Sequence, residues 1–393
     1  MRGTFNLIVT ILAVNFCHLV TSYKISSRYL ENSRRTHCLP TGHDEVLLSQ
    51  SWENFSKNHV GRWCGIQSCH YHRDEEDSSV SDRILCGTLL TQKDESIDHT
   101  NFYVSSPVDF ESDDVTITAD KILLQNVAVY QKSTLASRVC GSVALGGPRM
   151  SRDGLSLQYS FRHGDCRMRV MIAYEPSDFV TVPSTSIQVP SSLSMSDITI
   201  SRELRLTDGV TTPILTSLPP AKSFTSASSN FLWRKTSIDS DFGGTFSGVK
   251  DIYRALGSPA DSPGHETVPS TALPIFEDYD ESFREALSEG KVSEETSDDD
   301  DDEDDLDFVR MYDGGLLIEA PLVILVGEES DVRVSWSIPT TEVSAAARTV
   351  YVAEASFTAM NDALNKTRRK RKGDTFIDQP VLLDFTVQTL RKD

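Results

Sequence analysis

The sequence predicts an all-β protein built as two tandem β-barrels, with a short N-terminal capping helix and disordered insertions. Three observations carry this. A helical turn bearing Trp52 and Phe55 runs into a Gly61-Arg62-Trp63 step and an alternating strand, a helix plugging one end of a barrel just before its first strand. Short apolar runs then recur at near-regular spacing, separated by turn residues, as barrels and sandwiches require. Finally GGTFSG, Gly243 to Gly248, places an aromatic between glycines as GRWCG does, which suggests that a second barrel starts there.

The 393 residues leave room for roughly two to three domains. The net charge of −20 is localised: about fifteen of those charges lie between Glu277 and Asp307, a block that no folded core absorbs. The rest is only mildly acidic, so neither nucleic acid nor an anionic membrane is implied as a partner. At the N-terminus, Arg2 and the apolar run Phe5 to Val20 fit a signal peptide over residues 1–22 better than a membrane span. Residues 23–43 carry Lys24, Arg28, Arg34 and Arg35 with several serines and Glu31 as the only acid before His43, the composition of a transit peptide. The pair resembles the bipartite leader of algae with secondary plastids; plain secretion is the alternative. The expected location is therefore the plastid stroma, with no stable membrane insertion once the leader is removed. Beyond Cys17 and Cys38, the five cysteines at 64, 69, 86, 140 and 166 are odd in number and irregular in spacing, which suits reduced thiols rather than a disulfide framework.

In order, Glu45–Ser56 reads as a helix and Arg62–His72 as a strand. Strand candidates follow at Ile84–Leu90, Asn101–Ser105, Val115–Thr118, Ile122–Tyr130 and Arg138–Leu145. The best-defined hairpin is LSLQYSFRHGDCRMRVMIAY. With Gly164-Asp165 as a two-residue turn, Phe161 faces Met168, Tyr159 faces Val170, Leu157 faces Ile172 and Leu155 faces Tyr174. Val182–Ser196 reads as a linker or edge, and a first barrel over 44–190 and a second over 191–393 are expected. Ile198–Leu206 is a strand candidate; Ala221–Asn230 and Gly257–Leu273 read as loops. The acidic insertion 277–307 should stay disordered. Gly315–Ile318 and Leu322–Val326 flank Pro321. Val332, Val334, Trp336 and Ile338 then alternate with polar residues in a half-buried strand. Arg348–Thr358 and the Val381–Val387 run, which is placed to close the barrel, come last, separated by the basic loop Lys366–Lys372.

The hairpin carries the sharpest chemical signal. Its other face sets Arg162 across from Arg167 with Arg169 alongside, and like charges so placed repel unless something anionic lies between them. Three readings stay open: a solvated face, a contact for an acidic partner, or an inward site for a ligand's carboxylates, which arginine binds bidentately. Cys64-x4-Cys69-His70-x-His72 has metal-like residues at a spacing that matches no zinc or haem pattern. On a strand, Cys64, His70 and His72 share a face and Cys69 points away. No metal, cofactor or catalytic residue is expected, since no P-loop, dinucleotide fingerprint, nucleophile elbow or His-Glu-x-x-His occurs. The basic loop matches a nucleic-acid patch by composition alone, and Asn54-Phe55-Ser56 and Asn365-Lys366-Thr367 are glycosylation triplets of a kind that often arises by chance.

Three segments, WENFSKNHVGRWCG, SLQYSFRHGDCRMRV and DGGLLIEAPLVILVGEESDVRVSWSI, resemble in order a plastid and cyanobacterial family of lipocalin-like (calycin) proteins. That family includes the biogenesis factor required for chloroplast ATP synthase, and its N-terminal part is similar to the S-type bilin lyases. The resemblance implies tandem lipocalin-like barrels acting as a non-enzymatic assembly factor on ATP synthase F1 subunits. The alternative it implies is a barrel that binds a bilin or another carboxylated pigment. No catalytic residue carries over, and the acidic insertion departs from the family pattern.

Overall fold

The computed structural model describes residues 42–71, 81–94, 96–104, 122–131, 138–140, 143–151, 154–182, 187–206, 238–254, 265–270, 293–295, 308–341, 344–359 and 381–392. Residues 1–41, hence almost all of the expected leader, lie outside them, as do His72, Val115–Thr118, the loop Lys366–Lys372 and most of the acidic insertion. The chain is all-β, in two antiparallel sheets.

Helix α1 spans Gly42–His59. The first sheet then runs β1 Gly61–Tyr71, β2 Ser81–Lys93, β3 Ser96–Val104, β4 Ile122–Gln131, β5 Arg138–Cys140, β6 Val143–Ser151, β7 Gly154–His163, β8 Cys166–Val182 and β9 Ile187–Arg205. A one-turn helix, α2 Ile238–Phe242, precedes the second. This sheet holds β10 Phe246–Arg254, β11 His265–Ser270, β12 Ser293–Glu295, β13 Phe308–Tyr312, β14 Leu316–Pro321, β16 Glu329–Thr341, β17 Ser344–Thr358 and β18 Val381–Lys392. The short β15, Val323–Leu325, leaves it to pair with β9 of the first sheet.

Both sheets are meanders whose last strand returns to pair with the first: β9 with β1, and β18 with β10. Among the described residues β4 and β5 are not paired, nor are β11 and β12. The strand order is thus that of two barrel-like sheets, each without pairing across one seam among the described residues.

Alternation gives every strand two faces. On one face of the first sheet, Trp63, Leu90, Ile97 and Ala144 pack with Trp52 and Phe55 of α1, all buried. Trp52, Phe55 and Trp63, expected to pack together, share this one buried cluster. The other face carries Leu155, Leu157, Tyr159 and Phe161 and packs on Val332, Val334 and Trp336 of the second sheet in one continuous core. Polar contacts cross this joint. The Tyr159 hydroxyl donates to the Val332 carbonyl at 2.8 Å, His163 Nδ1 and the Tyr351 hydroxyl lie 2.8 Å apart, and Arg202 and His70 both reach Asp313, at 2.9 and 3.5 Å. Trp336 is fully buried there, against Phe161 and Tyr351.

The expected hairpin register holds at all four apolar pairs. Elsewhere the structure differs. The stretch expected as a linker, Val182–Ser196, ends β8 and begins β9, so the first sheet continues past the 190/191 boundary to Arg205. Pro190 is accommodated beside register shifts in β8–β9, where a missing N–H costs little. Arg138–Leu145 is two strands paired with each other, and His265–Ser270, within an expected loop, pairs with β10. Ser293–Glu295, inside the acidic insertion, adds a three-residue strand to the edge of β13, a pairing that needs backbone bonds and no apolar face.

Because Trp63 is fully buried beneath α1, Trp63→Ala should lower the unfolding free energy by about 3–5 kcal/mol in guanidinium denaturation. An unchanged midpoint would remove Trp63 from the core.

Candidate functional site

Gly164, with φ of 57°, and Asp165 form the tight turn of the β7–β8 hairpin. The two-residue period then puts Arg167 and Arg169 on the face covered by α1, and both are buried. Strand β9 sets Glu203 opposite Arg167. On its other side β1 comes so close to β9 that a Cβ on Gly65 would sit 1.8 Å from the Arg202 carbonyl oxygen.

Glu203, fully buried, is the anion that the hairpin demanded. Arg167 Nε donates to Oε2 at 2.6 Å; Arg169 donates Nη2 to Oε1 at 2.7 Å and Nε to Oε2 at 3.0 Å, a two-point clasp. The Thr88 hydroxyl adds a bond to Oε1 at 2.8 Å. Above this knot the Arg167 guanidinium lies over the Trp63 ring, 4.2 Å from its centroid, and donates to the His59 carbonyl at 3.2 Å. The Trp63 indole N–H donates to that same carbonyl at 3.1 Å. The last residue of α1 is thereby fixed to β1 and β8, with cations at the helix end that attracts them.

On the far side, Arg169 Nη1 lies 3.1 Å from His99 Nε2. The same nitrogen lies 3.2 Å from Asn101 Oδ1; a guanidinium can only donate, so toward Arg169 the imidazole is an acceptor. Asn101 continues the chain, its amide donating to the Tyr103 hydroxyl at 2.8 Å. Burial alone would raise the Glu203 carboxyl; Arg167 and Arg169 outweigh it and hold it down at about 2. Burial, then Arg167, brings His59 down to about 3, and burial, then Arg169, puts His99 well below its ordinary value. At neutral pH the cluster contains two cations, one anion and two neutral imidazoles, a net charge of one positive.

Arg162 stands apart from this knot. Though it faces Arg167 in register, its side chain turns to the rim and donates to the carbonyls of Gly164, Lys57 and Asn58. The structure thus divides the three sequence-predicted arginines into a buried pair and a rim residue, and a solvated face is not where Arg167 and Arg169 lie. Cys64 and His70 face the second sheet and Cys69 points the other way, toward Thr199. Among the described residues no group of three or more His, Cys, Asp or Glu could hold a metal ion. Cys64 and Cys69 are buried, and burial pushes the Cys166 thiol up to about 12.

Glu203, Thr88, His59, His99 and Asn101 were not singled out from the sequence. Glu203 alone left a signal: an acid between Ile200 and Leu204 in a strand buried on both faces needs a cation nearby. The second sheet carries a counterpart. Asp241 of α2 pairs with Arg348 of β17, accepts from the Tyr312 hydroxyl at 2.7 Å and, through its carbonyl, from Ser337 at 2.8 Å.

Fold and site together define a tandem-sheet β-protein with a charged knot under a helical cap. No protein-family model and no curated protein matches the sequence. Among solved structures, the crystal structure of a protein of unknown function from the DUF3598 family, from Nostoc punctiforme PCC 73102, is similar at 12% identity and a TM-score of 0.49, covering 87% of this chain and 99% of that one.

Removing the anion strands two buried cations, so Glu203→Gln should cost about 3–5 kcal/mol in guanidinium unfolding. Acid should destabilise the native protein in two stages. Below the ordinary histidine value of 6.5 the unfolded chain protonates His59 and His99 while the folded one does not; from about 4.5 down to about 2 it protonates Glu203 while the folded state keeps it ionised. A pH series of unfolding midpoints should show both losses, and His59→Gln with His99→Gln should flatten the upper one.

Proposed function

We propose that the protein is a non-enzymatic assembly factor of the plastid stroma that holds unassembled F1 subunits of the chloroplast ATP synthase by transient surface contact. The observation that carries the reading is the commitment of the buried charges. Arg167 and Arg169 are engaged by Glu203, and Trp63, Trp52 and Phe55 fill the space under α1, so this end of the first sheet is built for rigidity. That leaves the outer surfaces for recognition. The choice of F1 as partner rests on the resemblance of the three segments, which lie on α1–β1, on β7–β8 and on the run from the β13–β14 turn to β16. The stromal location rests on the composition of residues 1–43. A pull-down from plastid extract with the mature chain should recover F1 α, β or γ subunits; recovery of none would count against the reading.

One observation favours a second reading, a barrel that binds a bilin or another carboxylated pigment. Arg167 and Arg169 do lie on the covered face, with one positive charge in excess and His99, Asn101 and Tyr103 beside them. A ligand carboxylate would have to compete with Glu203 for them. Titration of the purified protein with bilins should leave the absorption spectrum unchanged if the assembly reading is right, and a shifted, intensified band lost in Arg169→Gln would establish the pigment instead.

A further inference from the structure

Three guanidinium groups surround the Trp63 indole. Arg167 lies over the ring and is neutralised from below; Arg162 and Arg205 approach from the rim, at 5.8 and 5.9 Å from the ring centroid. The rim pair is balanced differently. Arg162 is pinned by three backbone carbonyls, through Nε to Gly164 at 2.9 Å and through Nη1 to Lys57 and Asn58 at 3.0 and 3.1 Å, which leaves Nη2 without a partner among the described residues. Arg205 is exposed, and its side chain makes no hydrogen bond or ion pair among the described residues. Burial, and then the like charge of Arg205, lowers Arg162 from its ordinary value, with only the exposed Asp165 acting the other way. Lys57, exposed in the last turn of α1, receives Arg162 on its backbone carbonyl, which sets this basic residue beside the same rim.

We infer that this rim, Arg162, Arg205 and Lys57, is a docking surface for an acidic peptide segment of a partner protein. The inference rests on the assembly reading and gives its partner a chemistry. Two arginines set against the same indole ring repel one another and gain when a carboxylate enters between them, and a pinned Arg162 presents its outer N–H groups with little further entropy to lose. Trp63 beneath supplies a rigid floor. The small size of the rim selects a short segment, since nucleic-acid binding commonly draws on about 6–10 phosphate contacts. A chain of net charge −20 also repels a long polyanion more than a short acidic stretch.

The test is fluorescence anisotropy of a fluorescein-labelled octaglutamate peptide with the mature chain at low ionic strength. The native protein should bind it; Arg205→Glu should weaken binding at least tenfold with an unchanged melting temperature, Arg205→Lys should retain most of it, and neutralising the basic residues of Lys366–Lys372 should leave it intact. Equal binding by Arg205→Glu, no binding by the native chain, loss on neutralising the loop instead, or tighter binding of single-stranded octathymidylate would overturn the inference. Pull-downs with the same variants separate the two levels. If native protein and Arg205→Glu capture F1 subunits equally, the rim is refuted and the assembly reading stands; if the peptide result holds and native protein captures none, the rim stands and F1 is the wrong partner.

Discussion

A single carboxylate buried among cations governs the first half of the molecule. Ionised groups survive inside a protein only when paired and fully hydrogen-bonded, and Glu203 meets that condition through Arg167, Arg169 and Thr88. The same contacts fix much else. The register of β8 on β9 is set, because a one-residue slip would send two guanidiniums into the apolar joint between the sheets. The seat of α1 is set as well, because its last carbonyl at His59 receives both Arg167 and the Trp63 indole.

The second half repeats this plan with different parts. Each sheet begins after a helix with glycine, one residue, an aromatic, one residue, glycine: Gly61, Trp63 and Gly65, then Gly244, Phe246 and Gly248. The leading glycines have φ of 132° and 98°, open to glycine at little cost. The trailing ones let the first strand approach the last so closely that a Cβ would lie 1.8 Å from the Arg202 carbonyl oxygen and 2.0 Å from that of Thr389. In both sheets the space under the helix holds aromatic residues beside an acid–arginine pair, yet the acid sits on the last strand in one and on the helix in the other. The remaining faces are mainly apolar and pack on each other around the Arg202–Asp313 pair, so the two sheets share a core, and β15 ties them further by joining β9.

The all-β class, the aromatic plug and the β7–β8 register were legible because they depend on local alternation and on one glycine turn. The glycine–aromatic echo was legible too, but slight as a string; its meaning lies in the close approach of first and last strands, which only pairing reveals. Strands rich in serine and proline were missed, as at Val182–Ser196, because there the partner strand decides. The repulsion between arginines pointed to a missing anion and could not name it: Glu203 is 34 residues from Arg169, and His99 is 70. Which way each arginine turned was also hidden, since Arg162 and Arg167 are opposite in register, yet Arg167 lies on the strand beside β9 and meets Glu203, while Arg162 turns to the carbonyls of Lys57 and Asn58.

The central claim is that the buried arginines serve the fold through Glu203. A double-mutant cycle in guanidinium unfolding tests it most directly, with Glu203→Gln, Arg169→Gln and the two combined. The claim predicts that the double variant is less destabilised than the sum of the single ones, by a coupling of about 1–3 kcal/mol. Additivity to within about 0.5 kcal/mol would contradict it.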